Sequence, residues 1–188
     1  MGTAVNIQSQ LATNISRTNF VVDTNVLYWM FYENCNYSDS YQKCYQEAVV
    51  RLKIKNNNLI VSTISLYELF SIIEKNEFNI FKKTHKKDTD FKLKDYRKIP
   101  EERRKIKKLL NITYKNISQF TKIMGYDLSN QDVTNLCEDY ESHNLDVFDY
   151  TLVNFCKQNR ISNIITDDRD YRSALNDLNI YTANRNYF

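Results

Sequence analysis

Asn163-Ile164-Ile165-Thr166-Asp167-Asp168-Arg169-Asp170-Tyr171 decides how this chain is to be read. A short apolar run bounded by polar residues reads as a buried strand of a parallel sheet. It ends in three aspartates within four residues. Open α/β sheets bind ligands beyond the carboxyl ends of their strands, so acids placed there face the ligand crevice. A turn or helix cap needs one Asp, whereas three crowded carboxylates repel one another unless a cation joins them. The stretch points to a divalent-metal site, against the blander reading of a solvated turn.

The same succession of strand and acid recurs near the N-terminus, where Phe20-Val21-Val22 runs into Asp23-Thr24-Asn25 before a short helix or turn. Tyr41 to Lys55 reads as a helix with Cys44, Ala48, Val49 and Leu52 at helical spacing, broken by Asn56-Asn57-Asn58. Leu59-Ile60-Val61 is a second short strand, and Ser62 or Thr63 caps the helix that follows, Ile64 to Ile73. Within that helix Glu68 lies four residues from both Ile64 and Ile72, so its carboxylate shares their apolar face. A buried, unpaired carboxylate is costly without a cation or a raised pKa. The alternative is that this face is wet.

Phe78 to Lys98 is polar and basic, punctuated by Phe81, Phe91 and Tyr96, and has no clear period. Pro100, Glu101 and Glu102 open a helix whose stripe of Ile106, Leu109, Leu110, Ile117, Phe120 and Met124 runs to a stop at Gly125. Ser129 or Asn130 caps a helix through Val133, Leu136, Cys137 and Tyr140. Asp149 opens another, pointing to the same face as the core stripe of Leu152, Val153, Phe155 and Cys156, while Asp146 reads as a cap or supporting group. A helical stretch at Ser173 to Leu178 and a last strand at Ile180-Tyr181 follow the acidic turn.

This alternation predicts an α/β fold, a three-layer α/β/α sandwich around a central, mostly parallel twisted sheet. Two glycines and one proline in 188 residues argue against a turn-rich all-β architecture. Cys35, Cys44, Cys137 and Cys156 have no CxxC spacing, and His85 and His143 lie apart, which argues against zinc and against a disulfide framework. Met1 to Asn19 lacks the pattern of a signal peptide, and no apolar run is long enough to span a bilayer. The expectation is a cytoplasmic protein with no membrane partner.

The net charge of +3 hides an uneven distribution. Lys82 to Lys108 holds thirteen Lys/Arg and five Asp/Glu; the remaining residues hold thirteen and eighteen. One segment is basic and the rest acidic, which suggests a polyanion partner beside an acidic pocket. Arg103, Arg104 and Lys107 crowd the first turns of the helix after Pro100. Such a run is more commonly a solvated face, but the interleaved aromatics favour nucleic acid.

Asp23, Glu68, Asp149 and Asp168 thus arise on separate elements, and right-handed crossovers bring those strand ends and helix starts to one sheet edge. Oxygen-only donors favour Mg²⁺ or Mn²⁺ over zinc. At these residues the chain resembles the PIN-domain family. Val21-Val22-Asp23-Thr24-Asn25-Val26-Leu27, Ser65-Leu66-Tyr67-Glu68-Leu69, Asp149 at a helix start and Thr166-Asp167-Asp168-Arg169-Asp170-Tyr171 are similar to its motifs, in order. Ile180-Tyr181-Thr182-Ala183-Asn184 is similar to its final strand and turn. Within the family the likeness is to VapC-type toxin ribonucleases.

The resemblance implies a metal-dependent endoribonuclease that hydrolyses RNA phosphodiester bonds, the toxin of a type II toxin–antitoxin pair. Its Mg²⁺ or Mn²⁺ site would be Asp23, Glu68, Asp149 and Asp168, with Asn25 and Thr166 orienting the carboxylates and Asp146 and Asp170 as further supports. An antitoxin protein and a second copy of the chain are the implied partners. Residues 1–188 would form a single PIN-like domain with a basic helical insertion at about 78–125, where Arg103, Arg104 and Lys107 would grip RNA. The alternative is a non-catalytic PIN-like module that binds RNA or protein. A phosphatase- or receiver-like protein ranks below both, for want of a Gly-rich phosphate loop.

Overall fold

The computed structural model describes residues 2–9, 12, 14–35 and 40–188. Its strands are β1 (Ala4–Asn6), β2 (Asn19–Val22), β3 (Asn58–Ser62), β4 (Lys122–Met124), β5 (Asn163–Ile165) and β6 (Asn179–Thr182). They form one sheet in the order β1-β6-β5-β2-β3-β4, every neighbouring pair parallel. Parallel neighbours need crossovers. These are supplied by α1 (Thr24–Phe31), α2 (Ser40–Ile54), α3 (Thr63–Thr84), α4 (Leu93–Tyr96), α5 (Pro100–Phe120), α6 (Asn130–Asp139) and α7 (Val147–Gln158).

Alternation along β2 divides the core. Phe20 and Val22 face one layer, built from α1, α2, α3 and α5, through Leu27, Val49, Leu69 and Ile117. Val21 faces the other, where α7 contributes Leu152, Val153, Phe155 and Cys156. The fold is therefore the three-layer α/β/α sandwich expected from the alternation, with an all-parallel sheet. Because both faces are covered, β2, β3 and β5 are apolar runs with no polar alternation. Among the described residues, no helix is long and apolar enough to cross a membrane.

Several elements differ from the sequence expectation. β1 was not anticipated; it adds to the sheet edge beside β6, with Ala4 opposite Ile180. The helix after Pro100 stops at Phe120 rather than Gly125, because Thr121 turns extended and both its N–H and its hydroxyl donate to the Ile117 carbonyl. Met124 then belongs to β4, paired with Ser62. The helix bearing Glu68 runs on to Thr84. The shapeless 78–98 stretch resolves into its last turns and α4, joined to α5 by a satellite core of Phe81, Tyr96 and Ile106. The basic residues ride on this outer unit. The helix expected at Ser173 to Leu178 is instead a 3-10 segment over Arg169–Ala174, capped by the Asp168 side chain.

Candidate active site

Each strand end hands a polar group to the same edge of the sheet. β2 stops at Val22, and Asp23 caps α1: its Oδ1 accepts from Thr24 N at 2.6 Å. Its Oδ2 accepts from the Thr166 hydroxyl at 2.7 Å, just beyond β5. Ser62, ending β3, caps α3, whose second turn carries Glu68. The Thr24 hydroxyl donates to Glu68 Oε2 at 2.5 Å. A continuous chain, Thr166–Asp23–Thr24–Glu68, thus spans three strand ends. Asp168 N donates to the Thr166 hydroxyl at 3.0 Å, which ties the acidic turn to the same chain. Opposite, Asp146 caps α7 by accepting from Phe148 N and Asp149 N at 2.8 and 2.9 Å, and Asp149 stands in the first turn.

Burial and the neighbouring carboxylates raise the pKa values of Asp23, Glu68 and Asp149. Burial pushes Asp23 up to about 7, opposed by its bonds from Thr166 and Thr24 and reinforced by Glu68 and Asp168. Asp149 is pushed to about 8 by burial and by the charges of Asp23, Asp146 and Asp168, with Tyr171 acting the other way. Glu68 is raised by burial, its bond from Thr24 and the nearby Lys75 opposing and Asp146 and Asp168 reinforcing. Five carboxyls on four elements therefore feel one another across the sheet edge.

The donor chemistry fits a hard divalent cation. All the donors are oxygens, and the crowded acids lack the positive charge that would let them ionise together. Two buried polar atoms at the rim also make no hydrogen bond of normal geometry among the described residues: Asn25 Oδ1, in the first turn of α1, and the Tyr171 hydroxyl. The latter lies beside the Asp149 carboxyl and acts on its protonation, without forming a hydrogen bond of normal geometry. As the side chains stand, however, no three His, Cys, Asp or Glu groups among the described residues converge into a ready metal cage.

The three aspartates after β5 have diverged. Asp168 faces the cluster. Asp167 turns to the opposite layer, where its Oδ1 accepts from the Tyr41 hydroxyl and, at 2.6 Å, from that of Tyr45. Asp170 contributes its backbone N–H to Asp168 Oδ1 at 2.9 Å, while its carboxyl acts on Tyr187. Thr24 and Tyr171 went unnoticed in the sequence. Thr24 follows a strand-ending Asp on a helix start, a position from which a hydroxyl can reach a neighbouring helix; Tyr171 gave no signal beyond its place after the acids.

Arg103, Arg104 and Lys107 line a groove of about 730 Å³ between α3 and α5, to which none of Asp23, Glu68, Asp149 and Asp168 contributes. Arg103 donates to Glu74 at 3.2 Å, beside Arg97, which grips the same carboxylate with two nitrogens; Arg104 pairs with Glu101 at 2.8 Å. Lys107 makes no ion pair among the described residues. The groove begins at Phe70 and Ser71, within one turn of Glu68.

A parallel α/β sandwich with carboxylates gathered at the strand ends defines a class of acid-edged sheet proteins. The PIN domain family matches residues 20–174, most of the chain, and the protein belongs to that family. A similar fold is seen in the crystal structure of VapBC2 from Rickettsia felis bound to a DNA fragment from their promoter. It aligns with a TM-score of 0.51 and 12% identity, over 88% of this chain and 98% of that one. No curated protein matches the sequence. β1 and β6 lie outside the matched segment.

Proposed function

We propose that the protein is a Mg²⁺- or Mn²⁺-dependent endoribonuclease, the toxin of a type II toxin–antitoxin pair, acting in the cytoplasm. The observation that carries this reading is the gathering of Asp23, Glu68, Asp149 and Asp168 at one sheet edge, with Asp23 raised to about 7 and Asp149 to about 8 by burial and by neighbouring carboxylates. Proteins with PIN domains are generally nucleases, and a similar fold is seen in VapBC2 bound to a promoter DNA fragment, in keeping with the VapC-type likeness of the sequence. An antitoxin protein is the partner this suggests, and a second copy of the chain is another. In this reading residues 1–188 act as one domain, with the segment at about 78–125 as its basic insertion.

Asp23 and Asp149 would hold the ion, with Glu68 and Asp168 completing the set or holding its waters. When bound, such an ion lowers the pKa of a water and stabilises charge on phosphoryl oxygens. The chain's own groups do the rest. Thr166 and Thr24 fix the carboxylate orientations through the bonds described, Asp146 rigidifies the start of α7, and Arg104 and Lys107 hold the phosphate backbone. Thr166→Ala is expected to reduce Mn²⁺ affinity about 10- to 100-fold, read by calorimetry, since outer supports of ligating carboxylates are typically worth that much.

The decisive experiment is cleavage of a mixed structured RNA by wild type and Asp149→Asn, with Mn²⁺ and with EDTA. Metal-dependent cleavage that disappears in the variant supports the reading; cleavage in EDTA, or by the variant, defeats it. The cations lining the groove between α3 and α5 favour a second reading, a non-catalytic PIN-like module that binds RNA or protein through its basic segment. RNA binding without cleavage under either metal would select it.

A further inference from the structure

We propose that Tyr67 and Tyr114 form a stacking platform for unpaired RNA bases along the groove between α3 and α5, a proposal that rests on the RNA-hydrolase reading. Both rings are exposed, by 75% and 49%. Among the described residues neither makes a hydrogen bond, an ion pair or a ring contact, unlike Tyr41, Tyr45, Tyr96, Tyr150 and Tyr187, whose hydroxyls are all bonded. Tyr114 lines the groove and Tyr67 stands one turn beyond its Ser71 end, and two free aromatic faces so placed ask for a ligand with flat faces of its own.

Their placement is specific. Tyr67 precedes Glu68 and stands one helical turn before Ser71, which lines the groove, so it shares that helix face just beyond the groove's Phe70–Ser71 end. Tyr114 lines the groove from α5, four residues after Leu110, which with Phe70 and Ile106 forms the apolar floor. From Tyr67 to Glu74 the α3 wall runs about 10 Å, at about 1.5 Å per residue.

Charge selects the class of occupant. The groove is lined by four cations, Arg97, Arg103, Arg104 and Lys107, against the single carboxylate of Glu74, and Lys108 and Lys115 continue the basic surface along α5. An apolar floor, free aromatic faces and a surplus of cations suit a single strand, whose bases stack on rings while its phosphates meet Lys and Arg. A duplex keeps its bases stacked inside and cannot use the rings. The platform would grip the nucleotides on one side of the bond presented to the carboxylates.

The test uses full-length protein carrying Asp23→Asn, so that bound RNA is not consumed. Fluorescence anisotropy then reads binding of a short mixed-sequence single-stranded oligoribonucleotide and of the same strand annealed to its complement. Tyr67→Ala and Tyr114→Ala should each weaken single-strand binding about 5- to 140-fold and leave the duplex unchanged. Tyr67→Phe and Tyr114→Phe, which keep the rings, should bind as the parent does. Lys107→Ala should weaken both probes, because a phosphate contact does not depend on free bases.

The platform is overturned if the alanine variants bind the single strand like the parent, if they lose both probes alike, or if neither probe binds. It is equally overturned if poly-glutamate occupies the groove and the alanine variants lose that binding with RNA binding intact, the signature of an acidic protein partner. Failure of the two ideas is separable. Cleavage by wild type with undiminished RNA binding in the alanine variants removes the platform alone, whereas ring-dependent binding without cleavage removes the hydrolase alone.

Discussion

Asp23→Asn is expected to abolish RNA cleavage and, in the same molecule, to stabilise the metal-free fold at neutral pH. The first effect follows from its position. Asp23 accepts from Thr24 and Thr166 on two strand ends, so losing its charge removes the pivot of the acidic edge. A loss of at least about 10²- to 10³-fold is the scale for a single group that stabilises transition-state charge. The second effect follows from burial. The unfolded chain releases the Asp23 proton near its ordinary value of 3.8, whereas the folded chain holds it up to about 7. The folded state binds the extra proton throughout that interval, so the group's contribution falls as pH rises through it and is fully unfavourable above about 7. Asp149 extends the window to about 8. Thermal denaturation in EDTA should therefore show wild type losing stability from mildly acid to mildly alkaline pH. The variant should lose less, and be more stable at the alkaline end by an amount on the order of a few kcal/mol. Adding Mn²⁺ should raise the wild-type melting temperature and leave the variant nearly unmoved. A variant that cleaves normally, or that is less stable than wild type at alkaline pH, would refute this account of the site.

Much of this site was legible because one signal fixes both strands and acids. β2, β3 and β5 are buried on both faces, so each is an uninterrupted apolar run, and the polar residue ending it falls at the ligand edge. Asp23 and Asp168 could be named for that reason, whereas Glu68 and Asp149 stood out because each shares a helix face with apolar residues. The edge strands β1 and β4 are three residues each and half-exposed, too short to carry a period of their own. In β4, Met124 stands four residues after Phe120 and so imitates one more turn of α5. The fate of Asp167 was invisible for a different reason. Its partner Tyr45 is 122 residues away in sequence, and a turn of adjacent acids does not reveal which one rotates to the opposite layer. Thr24 was likewise unreadable, because its role depends on a rotamer meeting Glu68 across 44 residues.

Lys105→Ala is expected to destabilise the protein by about 3 kcal/mol at neutral pH. The cause is Glu77, which lies wholly buried in the middle of α3. Lys105 Nζ sits 2.7 Å from its Oε2, the Tyr32 hydroxyl donates to Oε1 at 2.7 Å, and Asn34 Nδ2 donates there at 2.5 Å. Burial pushes the carboxyl up, but the bonds from Lys105, Asn34 and Tyr32 outweigh it and hold Glu77 below its ordinary 4.5. Its stabilising contribution is thus complete above 4.5 and is lost as pH falls through the lower folded value. Removing the ammonium strands a buried charge, and the low end of the usual range applies because the Lys105 side chain is 51% exposed and water replaces part of it. Without Lys105, burial is opposed only by the bonds from Asn34 and Tyr32, and the Glu77 pKa rises from its wild-type position. The gap between wild type and variant should therefore narrow as the solution is acidified, because the stranded carboxylate takes up a proton. Urea unfolding at neutral and acid pH reads this directly, and adding Glu77→Gln to Lys105→Ala should recover part of the loss at neutral pH. The same pair pins α5, the helix that carries Arg103, Arg104 and Lys107, against α3, so the variant should also weaken RNA binding while leaving the acidic edge intact. A stability loss that is the same at every pH would mean that Lys105 acts through packing and not through the buried carboxylate.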